Sequence, residues 1–336
     1  MLSANSEGVR LGLSGTPQLR ALEVTEANRR LAVRWLVLGV AALSGAGLFA
    51  VVLVLSRAPF VHALFPDVDL FRLSLVVHVD LSVLVWFLAF GGVVWSLAHT
   101  VNRWLAQSGL GLAAAGTLLL VLSPFMGAAI PSLNNYVPVL QQPWFLAGLI
   151  VFGFGVALMA VSSAREWLAP GSLNVLQVGS VTASIATVVT LVSLVIALLQ
   201  LRSHDFVGHA YYELLFWAPG HTLQFVYTQL LMVALLGLAL GTNLRIALSP
   251  RSLMVLLWLG LVPVFLAPVF QLTTDIGGIE QRTVFTQLMQ YGGLIPALPI
   301  GAAVLWACWV GSPTPLEERP ARAALHASLL LFAVGG

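Results

Sequence analysis

Charge and cysteine are what this sequence has least of. Only 8% of the 336 residues are charged, whereas roughly a quarter of the residues of an average soluble domain are. The 15 basic residues are all arginines, scattered through short polar stretches, so a nucleic-acid partner is not expected. With Cys308 as the only cysteine, an internal disulfide, a thiolate metal cluster and a covalent CxxCH haem attachment are excluded. A redox metal in this protein would have to be bound by histidine.

Long apolar runs take the place of the missing charge. Hydrophobic residues make up 59% of the chain, and runs of about 20 residues recur, each long enough to cross a hydrocarbon core of about 30 Å as an α-helix. The sequence therefore predicts an all-α polytopic bundle of about nine transmembrane helices. The first run is long and follows a polar stretch, so it is interpreted as a signal anchor. The expected spans are residues 34–56, 70–97, 107–127, 143–163, 174–200, 211–241, 252–271, 283–310 and 322 onward.

The distribution of arginine predicts the orientation of this bundle. With the N-terminus inside, most arginines fall on the inner side, and the outer side keeps only Arg57, Arg72, Arg202 and Arg282. Because positive residues favour the cytoplasmic side, we expect a cytoplasmic N-terminus. The protein is then a multi-pass protein of a bacterial-type cytoplasmic (inner) membrane, in contact with the lipid bilayer.

Two regions are expected along the chain. Residues 1–33 are predicted to be a cytoplasmic segment, and residues 34–336 to be one membrane domain. The last apolar segment, from Arg322 to Gly336, would measure only about 22 Å as a helix, which is shorter than the hydrocarbon core. The membrane domain is therefore expected to be incomplete at its C-terminus. No obvious internal repeat relates the two halves, which disfavours a transporter built from inverted repeats.

Four ionisable residues fall inside predicted spans, where a charge is costly unless it lines a cavity or binds something. His78 and Asp80 lie in the second span, and Glu213 and His221 lie in the sixth. Both histidines fall in the outer half of the bilayer. Each could hydrogen-bond across a helix interface, or its neutral imidazole could bind haem iron or copper. The other five histidines lie in loops or near span ends, and we expect no cofactor on them: His62, His99, His204, His209 and His326.

Three stretches resemble subunit I of the haem-copper oxidase superfamily. HVDLSVLVWFLAF, which begins at His78, resembles the helix that carries a low-spin haem ligand. FWAPGHTLQFVY, which contains His221, is similar to the helix whose histidine binds the active-site copper. SLLLFAVGG, at residues 328–336, resembles the ninth helix. The three stretches lie in spans two, six and nine, in the family's order, so the chain resembles the catalytic subunit of cytochrome c oxidase or nitric oxide reductase.

This resemblance implies both cofactors and an activity. His78 would be an axial ligand of the low-spin haem, and His221 would stand at a copper-ligand position. The protein would be a respiratory membrane oxidoreductase subunit that passes electrons through haem to reduce oxygen or nitric oxide. Its partners would be other respiratory-complex subunits and an electron donor such as a cytochrome c.

The sequence departs from the family around the copper position. The family's adjacent histidine pair in the seventh helix would fall at Phe270 and Gln271, which argues against a three-histidine copper site. Phe225 stands four residues after His221, where many members have tyrosine or glutamate. Tyr227 is rotated from that position by about 200° around the helix. The lysine of one proton pathway is absent from the eighth span.

Three polar side chains could support these sites. We interpret Gln224, Asp80 and Glu213 as hydrogen-bonding partners, with proton relay as the alternative. Gln224 lies one helical turn from His221, and Asp80 lies two residues from His78 on the opposite side of the helix. Three functions remain open: an oxidase-type enzyme, a non-catalytic haem-binding homologue without the copper site, and a cofactor-free membrane transporter.

Overall fold

The structure, a computed structural model, describes residues 24–64, 69–99, 101–167, 173–311 and 315–335. Over these residues it is a bundle of helices with one small hairpin, which confirms the predicted all-α polytopic fold. The helices are α1 (Glu26–Leu55), α2 (Pro59–Leu64), α3 (Leu70–Val79), α4 (Trp86–Ala98), α5 (Arg103–Leu122), α6 (Pro143–Val161), α7 (Ala164–Trp167), α8 (Val175–Leu201), α9 (Gly208–Gly241), α10 (Pro250–Leu259), α11 (Val262–Thr273), α12 (Ile279–Gly292), α13 (Leu294–Val310) and α14 (Arg319–Gly335).

Eight helical segments of the described chain are long and apolar enough to cross a membrane. Five are the single helices α1, α5, α6, α8 and α9, and three are the pairs α3 with α4, α10 with α11, and α12 with α13. The ninth expected span corresponds to α14, whose 17 residues measure about 26 Å. We call the side of the bundle on which α1 ends and α3 begins the distal side. The alternation of the spans places the starts of α9 and α12 on this side as well.

The first helix begins earlier than its apolar run. Thr25 accepts a hydrogen bond from the Asn28 amide at 3.2 Å, and Arg30 donates to Glu26 at 2.9 Å. An N-cap and an i,i+4 ion pair of this kind stabilise a helix start without any apolar residue. The segment that hydropathy assigns to the N-terminal region therefore includes the first turns of α1, while residues 1–23 lie outside the described part.

Glycines allow α5 and α6 to pack with their backbones in contact. A Cβ added at Gly116 would lie 2.4 Å from the Phe152 amide nitrogen, and one added at Gly155 would lie 2.4 Å from that of Ala113. Small residues at such positions favour close helix association in a membrane, where burial of apolar surface gives little driving force between helices. This pair holds the two ends of the loop that carries the hairpin.

The loop between α5 and α6 forms an antiparallel hairpin on the distal side that hydropathy did not predict. β1 (Ile130–Ser132) pairs with β2 (Val139–Gln141), with Pro131 opposite Leu140. Ser132 donates to the Asn134 side chain at 2.9 Å, and Asn134 donates to the Val137 carbonyl at 3.1 Å. These bonds brace the turn so that Asn135 and Tyr136 are presented to α9.

Candidate functional sites around His78 and His221

His78 lies near the end of α3, facing α1. Its Nδ1 is 2.8 Å from the Ala46 carbonyl oxygen, and a carbonyl can only accept, so Nδ1 carries the proton and Nε2 has the lone pair. Nε2 makes no hydrogen bond to any residue that the structure describes, and the ring is only half-buried. Metal-binding histidines share this arrangement, in which a backbone carbonyl orients one ring nitrogen and the other nitrogen has no hydrogen-bonding partner.

A π-helical segment, Asp80–Val85, begins two residues after His78 and joins α3 to α4. π-Helical turns inside longer helices are rare and occur often at functional sites. Ser82 donates to the His78 carbonyl at 2.7 Å, which supplies a bond where the helical register changes. The sequence pattern gave no sign of this segment, because hydropathy does not distinguish a π turn from an α turn.

Asp80 is the first residue of the π-helical segment, and it is buried, with 1% exposure. We expected it to have a hydrogen-bonding partner, but neither carboxylate oxygen has one in the part of the chain that the structure describes. The role of Asp80 as a hydrogen-bonding support for the His78 site is therefore not supported by its contacts.

His221 lies inside α9 with both of its ring nitrogens in use. Nδ1 donates to the Trp217 carbonyl one turn earlier at 2.7 Å, so Nε2 has the lone pair. Nε2 accepts a hydrogen bond from the Tyr136 hydroxyl at 2.8 Å. A metal ion on this nitrogen would have to displace Tyr136.

Tyr136 reaches His221 from the turn of the hairpin, outside the membrane-spanning helices. Burial, and secondly the Glu213 carboxylate, raise the pKa of the Tyr136 phenol above its ordinary value, so the hydroxyl stays protonated and donates a hydrogen bond to Nε2. A Cβ added at Gly220 would lie 2.2 Å from Cγ of Tyr136. Only glycine at position 220 lets the tyrosine lie this close to α9.

Three aromatic side chains, Tyr136 among them, pack against the His221 ring. The centroid of its ring lies 4.6 Å from Tyr136, 4.8 Å from Trp217 and 5.6 Å from Phe285. Phe270, one of the two residues at the expected histidine-pair position, packs in the cluster with Trp217 and Phe285. The surroundings of His221 therefore present ring carbons where a copper site would present further imidazoles.

Gln271, the other residue at that position, belongs to a different interface. Its side chain accepts from the Ser193 hydroxyl at 2.7 Å and donates to the Ser193 carbonyl at 2.9 Å. Gln200 donates to the Gln271 carbonyl at 2.7 Å. All three bonds link α11 to α8, so this side chain has no part in the His221 site. Among the described residues, no group of three or more histidine, cysteine or acidic side chains could hold a metal ion.

Phe225 and Tyr227 lie on different sides of α9, as the helical rotation predicts. Phe225 is buried close to Gly292 of α12, where an added Cβ would be 3.2 Å from the Phe225 ring. Tyr227 makes an edge contact with Phe87 of α4, at 5.0 Å between ring centroids. The tyrosine that is near His221 is Tyr136, from another part of the chain.

Glu213 and Gln224 differ in what they contact. Glu213 accepts from the Asn135 amide at 3.1 Å and from the Asn135 side chain, and these bonds anchor the hairpin to α9. Near it, Asn135, His209 and Arg282 help to line a distal cavity of about 360 Å³. The Gln224 side chain makes no hydrogen bond to a described residue, and its role beside His221 stays a prediction.

Two features were missed by reasoning from sequence. Tyr136 carried no motif, although the loop of some 20 residues that contains it is longer than connections in compact domains usually are, and such loops are often functional. His99, directly after α4, is buried and hydrogen-bonds through Nδ1 to Glu166, a contact that the sequence did not indicate. The side chain of His62 lies outside the described residues.

The chain is similar to two uncharacterized proteins. The protein RP382 of Rickettsia prowazekii (strain Madrid E) is 29% identical over 307 residues, which cover 81% of this chain and 59% of that protein. A protein of Aquifex aeolicus (strain VF5) is 29% identical over 203 residues, which cover 59% of this chain and 50% of that protein. The chain thus spans about half the length of the curated relatives it matches. No family model matches the chain, and no solved structure matches it.

Proposed function

We propose that this chain is the membrane domain of a haem-binding electron-transfer protein with the scaffold of haem-copper oxidase subunit I, in which His78 binds haem and the copper position is not used. The observation that carries the proposal is the state of His78: Nδ1 is held by the Ala46 carbonyl, and Nε2 has a lone pair and no partner among the described residues. Bound haem would supply one-electron transfer between ferric and ferrous iron.

The residues around His78 would fix the ligand. The hydrogen bond to the Ala46 carbonyl selects the tautomer, orients the ring and makes Nε2 more basic, as outer-shell carbonyls do for metal-binding histidines. Val76, Val77 and Leu81 are fully buried next to it, so α3 cannot rotate the imidazole away without exposing the core. His221 is not available as a ligand in the same way, because its Nε2, the nitrogen that copper would bind, already accepts a hydrogen bond from Tyr136.

Reduction of oxygen or nitric oxide at a haem-copper centre is the less favoured function. Neither the ring environment of His221 nor the direction of Gln271 provides copper ligands. The setting that we propose remains respiratory: a bacterial-type cytoplasmic membrane with the N-terminus inside, other respiratory-complex subunits, and an electron donor such as a cytochrome c. Only a minority of the arginines lie on the distal side, which supports this orientation. They are Arg57, Arg72, Arg202 and Arg282.

The test is the haem and copper content of the full-length protein, purified in detergent from cells supplied with both. We expect about one haem per chain with a low-spin absorption spectrum, and copper near zero. His78→Ala should lose the haem, and His221→Leu, the matched control, should keep it. If the protein contains no haem, the result would favour the cofactor-free transporter. If it contains one copper per chain and His221→Leu loses that copper, the result would favour the oxidase.

A further inference from the structure

The distal cavity of about 360 Å³ lies where the hairpin meets the starts of α9 and α12. Loops and first helical turns supply its lining, so it lies at the distal end of the bundle. Its volume falls within the range of about 300–1,000 Å³ that is usual for small-molecule sites. Four of its lining residues are polar: Asn135, His209, Glu213 and Arg282.

Glu213 and Arg282 bring opposite charges to this cavity without pairing with each other. Their side chains are not joined by any ion pair in the described part of the chain. Glu213 is held by Asn135, whose backbone amide donates to it at 3.1 Å. The Arg282 guanidinium carbon lies 5.6 Å from the centroid of the Trp217 ring, a cation–π contact that uses none of its N–H donors. Both charges are therefore available to a ligand in the cavity.

His209 adds a hydrogen-bond acceptor beside Glu213. The two residues are four positions apart, so they lie on one face of α9. The Ser132 hydroxyl donates its one proton to Asn134 at 2.9 Å, so it accepts from Nδ1 of His209 at 3.2 Å. In the neutral ring, Nε2 then has the lone pair, and no described residue bonds to it. α9 therefore offers two acceptors to the cavity, and Arg282 of α12 offers donors.

A ligand that satisfies both sides of the cavity needs a cationic donor for α9 and an anionic acceptor for α12. An ammonium group has three N–H donors, which suit the Glu213 carboxylate and the His209 ring. A carboxylate suits a guanidinium, because it accepts two parallel N–H bonds. An α-amino acid carries both groups on one carbon atom. Leu133, Phe206 and Leu214 also line the cavity, and they favour an apolar side chain on the ligand.

We propose that the distal cavity binds a free α-amino acid with an apolar side chain, its ammonium group at Glu213 and His209 and its carboxylate at Arg282. In the orientation proposed above the distal side is the outer side, so the amino acid reaches the site from outside the cytoplasm. The binding needs no haem, so it goes beyond the function proposed above and is tested separately from it. His78→Ala should bind the amino acid as the wild type does, whether or not haem is present.

The experiment is isothermal titration calorimetry of the full chain in detergent with L-leucine. We expect saturable binding that Arg282→Gln and Glu213→Gln each weaken by about tenfold to a hundredfold, the loss of a hydrogen bond to a charged group. Glutamine at position 213 can still accept from Asn135, so the hairpin keeps its anchor. Arg202→Gln and Glu280→Gln are the matched controls, because both residues are exposed on the distal side and neither lines the cavity. The two controls should bind leucine as the wild type does.

Analogues of leucine test each charge in the wild-type protein, without any substitution. 4-Methylpentanoate lacks the ammonium group and 3-methylbutylamine lacks the carboxylate, so we expect each to compete at least about tenfold less well than leucine. Equal competition by either one would contradict recognition of a dipolar ligand. Phosphatidylethanolamine carries an ammonium group beside a phosphate, and displacement of leucine by this lipid at equal concentration would assign the cavity to a lipid head group instead.

Two further results would overturn the proposal. One is the absence of saturable leucine binding to the wild type, and the other is an equal loss of affinity in Arg282→Gln and Arg202→Gln. Circular dichroism of each variant shows whether its helices are intact. If Glu213→Gln does not fold, Arg282→Gln and the leucine analogues still decide the outcome.

Discussion

In His78 and His221, the same ring nitrogen donates a hydrogen bond to a backbone carbonyl, and the two residues differ at the other ring nitrogen. In both, Nδ1 donates to a backbone carbonyl: Ala46 at 2.8 Å and Trp217 at 2.7 Å. In His221, Nε2 accepts from Tyr136 at 2.8 Å, whereas Nε2 of His78 has no partner among the described residues. One tautomer can therefore serve as a metal ligand or as a structural acceptor, and the difference is made by a residue 85 positions away in the sequence.

The two regions also differ in how they are enclosed. His78 lies on a face that α1 and α3 share, half-buried, next to a π-helical segment. His221 lies among the rings of Tyr136, Trp217 and Phe285 with 2% exposure. A ligand to Nε2 of His78 would displace no hydrogen-bonded side chain of the described residues, whereas a ligand to Nε2 of His221 would displace the Tyr136 hydroxyl. The following variants test this contrast.

Adding a methyl group at Gly220 should have the largest effect on stability. The new Cβ in Gly220→Ala would lie 2.2 Å from Cγ of Tyr136, and such overpacking costs about 1–3 kcal/mol. Gly237→Ala, on the same helix with nothing within 4 Å of the added carbon, should be neutral or stabilising. Thermal unfolding in detergent measures both. If the two variants unfold alike, Tyr136 does not lie against α9, and the contrast between the histidines fails.

Replacing Gln271 should weaken the α8–α11 interface and leave the His221 site unchanged. Gln271→Leu removes both side-chain bonds to Ser193, at about 1–2 kcal/mol in total. Gln224→Leu should change stability little, since its side chain has no described partner. Thermal unfolding again gives the comparison. Copper uptake by Gln271→His would show that this position faces His221 after all.

Removing the Tyr136 hydroxyl should make His221 resemble His78. Tyr136→Phe loses one hydrogen bond, about 0.5–1.5 kcal/mol, and leaves Nε2 of His221 without a donor. Modification of His221 by diethyl pyrocarbonate, followed by peptide mass spectrometry, should then become faster. Tyr227→Phe is the control, because Tyr227 contacts Phe87 and not His221. Equal rates in wild type and Tyr136→Phe would mean that the hydroxyl does not protect the ring.

Hydropathy predicted the bundle because every residue of a membrane span is selected for an apolar environment. A run of about 20 apolar residues is therefore enough to identify a span in the sequence. It gave the start of α1 eight residues too late, since Thr25 and Glu26 stabilise the helix by capping and charge. The helical rotation of Tyr227 away from Phe225 was also predictable, because it depends on local geometry alone.

The chemistry of the sites was not predictable in the same way. Whether His221 has a free nitrogen depends on Tyr136, and whether Gln271 faces the site depends on Ser193, 78 residues away. Such contacts are set by the packing of whole helices, which one sequence does not reveal. The hydrogen-bonding partner of Glu213, Asn135, comes from a hairpin that apolar periodicity cannot detect.

The most direct measurement of the central claim is ligand replacement at position 78. In His78→Gly the imidazole is removed and a space of its size is left, so the low-spin haem spectrum of the purified full-length protein should disappear. Imidazole added from solution should restore it, with saturation, whereas the same addition to His221→Gly should change nothing. A low-spin spectrum in His78→Gly without added imidazole would contradict the assignment of His78 as the haem ligand.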